Sequence, residues 1–170
     1  IENKVLPGYL KSCRWFGGKP RVIQNISIIS NIKIPVKDLH SNLITIEINY
    51  NDGVPEVYQL PLAYVSNKTE DLLKEIPKKG IIANLKLGGE EGLLFDAVYN
   101  EDFRNVLFQN IRKGRKLQSD SGNLAFYHSN GSSAAMGKGE IHSKVLNAEQ
   151  SNTSLIFDNK YFLKLYRKLD

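Results

Sequence analysis

The sequence predicts an α+β protein, a curved antiparallel sheet with a few packed helices that runs into a closing β-hairpin. Three observations carry the prediction. Apolar and polar residues alternate between Val22 and Ala63, apolar residues recur at helical spacing around positions 5–13 and 100–111, and a strand-turn-strand pattern closes the chain between Leu155 and Tyr166.

Val5, Leu6, Tyr9, Leu10 and Cys13 share one helical face, and Pro7 suits a first turn, so residues 5–13 are expected to form a short amphipathic helix. The run Arg14-Trp15-Phe16-Gly17-Gly18-Lys19-Pro20 ends it. From Val22 the period is two: Ile26, Ile28, Ile32 and Ile34 fall on one side against Ser27, Asn31 and Lys33, as in a long half-buried strand. Residues 43–50 repeat the pattern with Ile44, Ile46, Ile48 and Tyr50. Asn51-Asp52-Gly53 supplies turn chemistry, and residues 56–63 return with Tyr58, Leu60 and Leu62. An antiparallel meander with one wet face is expected.

Leu72, Leu73 and Ile76 suit a short helix within residues 66–76 that Pro77 stops. Residues 80–87 and 92–98 are strand candidates. Asn100 is placed to cap a helix carrying Phe103, Val106, Leu107 and Ile111 on one face, with Gly114 closing it. Residues 124–128 read as a strand, and the Ser/Gly/Ala-rich residues 129–139 as a linker or mobile loop. No internal repeat is present. Seams are expected between residues 80 and 100 and near the linker.

At 170 residues the chain is long enough to bury a substantial core. Its net charge of +5 is spread along the sequence apart from Arg112-Lys113-Gly114-Arg115-Lys116. That cluster follows a helix pattern, where cations complement the helix dipole, so a basic helix end is preferred over a polyanion site and no nucleic-acid partner is expected. Cys13 is the only cysteine, which excludes an internal disulfide, and His40, His128 and His142 have no metal-ligand spacing. No apolar run approaches the roughly twenty residues of a membrane span, and the N-terminus is unlike a signal peptide. A cytoplasmic protein without membrane association is the expectation. The missing initiator Met and the pattern that runs to the last residue lead us to expect a piece of a longer polypeptide.

Gly137-Lys138 is not a P-loop, because Ser132 and Gly139 stand where a glycine and a Ser or Thr are required. The closing hairpin is the better candidate. Asp158-Asn159 are turn residues, after which Phe162, Lys164 and Tyr166 share one strand face and Tyr161, Leu163 and Leu165 the other. A lysine in that position is ordinarily a snorkelling surface residue. The preceding Gln150-Ser151-Asn152-Thr153-Ser154 offers amides and hydroxyls suited to phosphate oxygens, or is a plain polar turn.

Taken with the front of the chain, these residues resemble the bacterial maltokinases, including those fused to trehalose synthase. Leu6-Pro7-Gly8-Tyr9-Leu10 and Arg14-Trp15-Phe16-Gly17-Gly18-Lys19 are similar to the family's opening LPxYLxxxRWFxxK signature. Tyr50-Asn51-Asp52-Gly53 with Tyr58-Gln59-Leu60-Pro61-Leu62 resembles its YxDG…YxLPL strand pair. Glu149-Gln150-Ser151-Asn152-Thr153-Ser154 with Leu163-Lys164-Leu165-Tyr166-Arg167 resembles its EQSNTS…LKLxRR hairpin.

The resemblance implies a cystatin-like N-terminal cap at 1–90, an intermediate subdomain with the mobile Ser/Gly loop at 91–140, and the start of a protein-kinase-like N-lobe at 141–170. It implies an ATP- and Mg2+-dependent kinase that phosphorylates maltose to maltose 1-phosphate, whose partners include the remaining kinase lobes and, in fusions, trehalose synthase. Carried onto this chain, Lys164 matches the nucleotide-phosphate lysine, and Ser151, Asn152, Thr153 and Ser154 match the loop that replaces a glycine-rich loop. Trp15 and Phe16 belong to the cap and are read as packing residues. The family's catalytic Asp, its helix Glu and its Mg2+-binding Asn and Asp have no counterpart in these residues. No residue here is assigned a catalytic or metal role, and the 170 residues alone are expected to be inactive. A stand-alone protein-interaction or regulatory module is the alternative.

Overall fold

Isoleucine density sets the first strands, because β-branched side chains pack well on a pleated surface and poorly in a helix. The computed structural model describes residues 1–66, 74–119, 122–128, 141–146 and 151–169. Helix α1 (Leu6–Ser12) leads into β1 (Ile23–Lys33), β2 (His40–Tyr50) and β3 (Glu56–Ser66). The hairpin β4 (Ile81–Leu87) and β5 (Glu90–Asp96) follows, and β5 pairs with β3, so one antiparallel sheet in the order β1-β2-β3-β5-β4 runs to Asp96. A 3-10 turn over Ala97–Tyr99 takes up the end of the strand expected at 92–98.

Both faces of this sheet are covered where β3 lies, so the expected wet face is corrected. Tyr58, Leu60, Leu62 and Tyr64 point into a first core beneath α1, with Leu6, Leu10, Ile44, Ile46 and Ile48. Ala63 and Val65 point the other way, into a second core with Leu93, Phe95 and Ile34. The isoleucines of β1 do not share a face either. A register shift between Ile28 and Ser30 bends the strand, leaving Ile26 in the first core, Ile34 in the second, and Ile28 and Ile29 exposed at the bulge.

Helix α2 (Glu101–Arg112) covers the second face. Asn100 caps it as expected: its side-chain oxygen accepts from the Phe103 amide at 2.8 Å, inside a site that water does not reach. Gly114, at φ 56°, ends it. The basic cluster therefore straddles a helix end and a short hairpin, β6 (Lys116–Ser119) with β7 (Gly122–Ala125), in place of the strand expected at 124–128. Most of the expected helix within 66–76, and the linker at 129–139, lie outside the described residues; Ile76 is buried in the second core.

A second sheet uses the other flank of α2. Strands β8 (Ser143–Leu146), β9 (Asn152–Phe157) and β10 (Tyr161–Tyr166) form an antiparallel sheet with β9 in the middle. Phe103 and Leu107 of α2 enter the second core, while Phe108 enters a third core under this sheet, 4.8 Å from the Phe157 ring and 5.3 Å from Tyr161. Arg104 pins the same helix to β8, donating to the Ser143 carbonyl at 2.6 Å and its hydroxyl at 3.0 Å. After Arg167 the chain returns to the first sheet, where β11 (Lys168–Leu169) pairs with β3 opposite Tyr58 and Val57. No helix among the described residues is long and apolar enough to cross a membrane.

The Asn100 cap is directly testable. Asn100→Ala leaves the Phe103 amide unpaired in a buried setting and is expected to cost about 1–2 kcal/mol in urea denaturation, with Asn100→Asp costing less. Equal losses for the two variants would show that the cap bond is not what stabilises this corner.

Candidate functional site

The turn between β9 and β10 determines which side chains the second sheet presents. Asp158 and Asn159 sit at φ 49° and 53°, a conformation that short polar side chains tolerate, and the Lys160 amide closes the turn on the Phe157 carbonyl at 2.9 Å. Alternation then turns Leu163 and Leu165 toward the third core and leaves Phe162, Lys164 and Tyr166 exposed on the outer face. Lys164 lies directly opposite Ser154 in the pairing, and its ammonium stands 5.7 Å from the Tyr166 ring centre.

The candidate residues are thus only partly brought together. Ser154 shares the outer face with Lys164, and its buried hydroxyl has no hydrogen-bond partner among the described residues. Ser151 precedes β9 and accepts from the Asn152 side-chain amide at 3.1 Å. Asn152, Thr153 and Ser154 belong to the strand itself, paired opposite Tyr166, Leu165 and Lys164, where the sequence suggested a loop or turn. Thr153 faces inward with Leu155 and Phe157; its hydroxyl accepts from Arg167 Nε at 2.8 Å. Gln150 lies outside the described residues.

Arg167 is the residue that sequence reasoning missed. Its guanidinium is buried and donates through Nη2 to Asp96 Oδ2 at 2.7 Å, with both side chains only 1% exposed. Asp96 collects two further donors, the Tyr9 hydroxyl at 3.0 Å and the Val98 amide at 3.2 Å. The Arg167 guanidinium also lies 4.9 Å from the Trp15 ring centre. One cluster therefore joins α1, the Arg14-Trp15-Phe16 segment, the end of β5, β9 and the exit of β10. Burial, and then the Asp96 charge, push the Tyr9 hydroxyl far above its ordinary range, so it stays a donor. Burial likewise raises the Cys13 thiol to about 11 and keeps it protonated. A signal for the pair did exist: a lone Asp inside the apolar run Leu93-Leu94-Phe95-Asp96-Ala97-Val98 demands a buried partner.

A second polar cluster anchors β11. Glu56 accepts from the Tyr50 hydroxyl at 2.7 Å, the Tyr58 hydroxyl at 2.8 Å and Lys168 Nζ at 2.9 Å. Arg21 lies 3.6 Å from the same carboxylate and stacks 3.6 Å from the Tyr50 ring centre. Nearby, Gly18 has no room for a side chain, since a Cβ there would press on the Tyr50 hydroxyl and the Phe16 ring. Phe16 is buried against Tyr58 at 5.3 Å, as a packing residue should be; Trp15 packs 6.1 Å from Tyr58 and also covers Arg167.

Between the two sheets lies a cleft of about 220 Å³, lined by Tyr9, Cys13, Arg14 and Trp15 on one side and Asn152 and Thr153 on the other. It separates the signature segment of the first sheet from the strand that holds the candidate residues. A family model for the maltokinase N-terminal cap domain matches residues 9–100, just over half of the chain. The chain belongs to the maltokinase N-terminal cap family. The matched span runs from Tyr9 in α1 to Asn100 at the start of α2, and so contains the whole of β1 to β5. Asp96 and Tyr9 are cap residues in this sense, whereas Arg167 and Thr153 lie beyond the match.

Two outcomes follow from the clusters. Asp96→Ala strands a buried guanidinium and is expected to cost about 3–5 kcal/mol in chemical denaturation; a loss under about 1 kcal/mol would show that the pair is not structurally important. Burial raises the Glu56 pKa, but the hydrogen bonds from Tyr50, Lys168 and Tyr58 outweigh it and hold the carboxyl below its ordinary 4.5. The unfolded chain thus binds the proton more readily, so this stabilisation is complete above the unfolded value and drains away as pH falls through the folded one. Glu56→Gln is expected to be less stable than wild type at neutral pH, with the gap narrowing below about pH 4. A gap independent of pH would contradict the assignment.

Proposed function

We propose that this chain is the N-terminal region of an ATP-dependent maltokinase, in which the cap is followed by the first strands of a kinase N-lobe and Lys164 binds nucleotide phosphate. The observation that carries the proposal is the exposed Lys164, paired with Ser154 in a three-stranded sheet docked on a maltokinase cap domain. The exposed Lys164 ammonium suits phosphate oxygens, and the exposed rings of Phe162 and Tyr166 offer apolar surface to a base or ribose.

In this proposal the chain divides into cap, intermediate unit and opening N-lobe strands. Ser151 and Asn152 stand at the start of β9, where the phosphates would pass, while Thr153 supports the strand from inside. The intact enzyme would transfer the ATP γ-phosphate to the anomeric hydroxyl of maltose, alone or fused to trehalose synthase. No group of three or more acidic, His or Cys side chains among the described residues is placed to hold a metal ion. No residue of this chain is given the role of Mg2+ ligand or base, and no step is assigned to the metal here.

The exposed Phe162 and Tyr166 also favour a second reading, a protein-docking face on a regulatory module. Nucleotide titration separates the two. Lys164→Met in the intact polypeptide is expected to weaken MgATP binding roughly tenfold or more, as loss of one charge-assisted contact of about 1.5–3 kcal/mol would, and to abolish maltose phosphorylation measured by ADP release. ATP affinity equal to wild type would overturn the phosphate role and leave the docking face as the better account.

A further inference from the structure

We infer that Asp96 and Arg167 are positioning residues for Lys164, so that the cap sets the geometry of the candidate phosphate site through one buried ion pair; this rests on the nucleotide role of Lys164 proposed above. The side chains flanking Lys164 on its own face, Phe162 and Tyr166, are 58% and 57% exposed. The β9 ladder, the inner face and the end of the strand hold its backbone.

Leu163 and Leu165 hold the inner face through the third core, and Arg167 adds to the hold there and at the strand end. On the inner face, Arg167 Nε holds the Thr153 hydroxyl at 2.8 Å, and Thr153 adjoins Ser154, the residue paired with Lys164. At the strand end, Gln59 of β3 donates its amide to the Arg167 carbonyl at 2.8 Å and its side chain to the Tyr166 carbonyl at 2.5 Å. The guanidinium then fastens the assembly to Asp96 at the end of β5, with Tyr9 and Val98 fixing the orientation of that carboxylate. Rotating or shifting the second sheet against the cap would break the ion pair and the Thr153 bond together. Lys164 lies on β10 three residues before Arg167, so a displacement of Arg167 is passed up the strand to it.

The test uses the intact polypeptide and the double variant Asp96→Asn/Arg167→Met. Asn keeps an oxygen for the Val98 amide and turns its NH2 to the Tyr9 hydroxyl, which can accept from it, and Met keeps apolar contact with Trp15, so no charge is left buried and the melting temperature should stay near wild type. The Kd for MgATP, from isothermal titration, is expected to rise roughly tenfold to a hundredfold, the scale of loss that a displacement of about 1 Å brings. Maltose affinity should be unchanged. MgATP affinity within about twofold of wild type in a folded double variant overturns the inference.

Thr153→Val covers the case in which the double variant does not fold, because it removes only the bond between Arg167 and β9. It should weaken MgATP binding by a smaller factor at unchanged melting temperature, and wild-type affinity would again overturn the inference. Lys164→Met is the control that separates the two levels. If it binds MgATP like wild type, the nucleotide role falls and the inference with it; if it loses binding while the other variants keep theirs, only the positioning role falls.

Discussion

The ion pair between Asp96 and Arg167 is the constraint on which the arrangement of the two sheets depends. Both groups are withdrawn from water, so each carries a desolvation penalty that only its partner and a full set of hydrogen bonds can offset. Asp96 has that set, from Arg167, Tyr9 and Val98. Arg167 has most of it: of its guanidinium nitrogens only Nη1 is without a partner among the described residues. A pair of this kind adds less to stability than an apolar replacement of equal volume can. It penalises every alternative docking of the second sheet, because each of those strands a charge.

Around that pair the apolar cores do the bulk stabilising. Helix α2 is shared, giving Phe103 and Leu107 to the second core and Phe108 to the third, so neither of those two cores closes without it. Arg104 and Ser143 repeat on β8 what Arg167 and Thr153 do on β9, a buried cation reaching from one layer to a strand of the next. Glu56 completes the join at the other end of β3 by holding Lys168. The cap and the strand bearing Lys164 are therefore continuous in packing and in polar contacts, although the family match ends at residue 100.

Much of this was legible in the sequence where the governing rule is local. Helix α1, strands β2 and β3, the Asn100 cap and the outward set Phe162, Lys164 and Tyr166 all follow from periodicity or capping chemistry. The bulge near Ile29 was not legible, since a single inserted residue leaves the pattern of isoleucines intact while exchanging the faces they serve. The second covered face of β3 escaped for a related reason: the strand was expected to end at residue 63, whereas it runs on to Ser66 and β5 and α2 pack over Ala63 and Val65. Thr153 was misplaced in a loop, although parity with Leu155 and Phe157 already put it on the inner face. Asp96 and Arg167 are 71 positions apart, and no local rule joins them.

The Asp96 and Arg167 charges act as a unit. A double-mutant cycle on unfolding free energy, with Asp96→Asn, Arg167→Met and both together, measures that most directly. The double variant is expected to be more stable than Arg167→Met alone, with a coupling of roughly 2–3 kcal/mol, because removing both charges relieves the stranding of either. Single losses that add to within about 0.5 kcal/mol would contradict it.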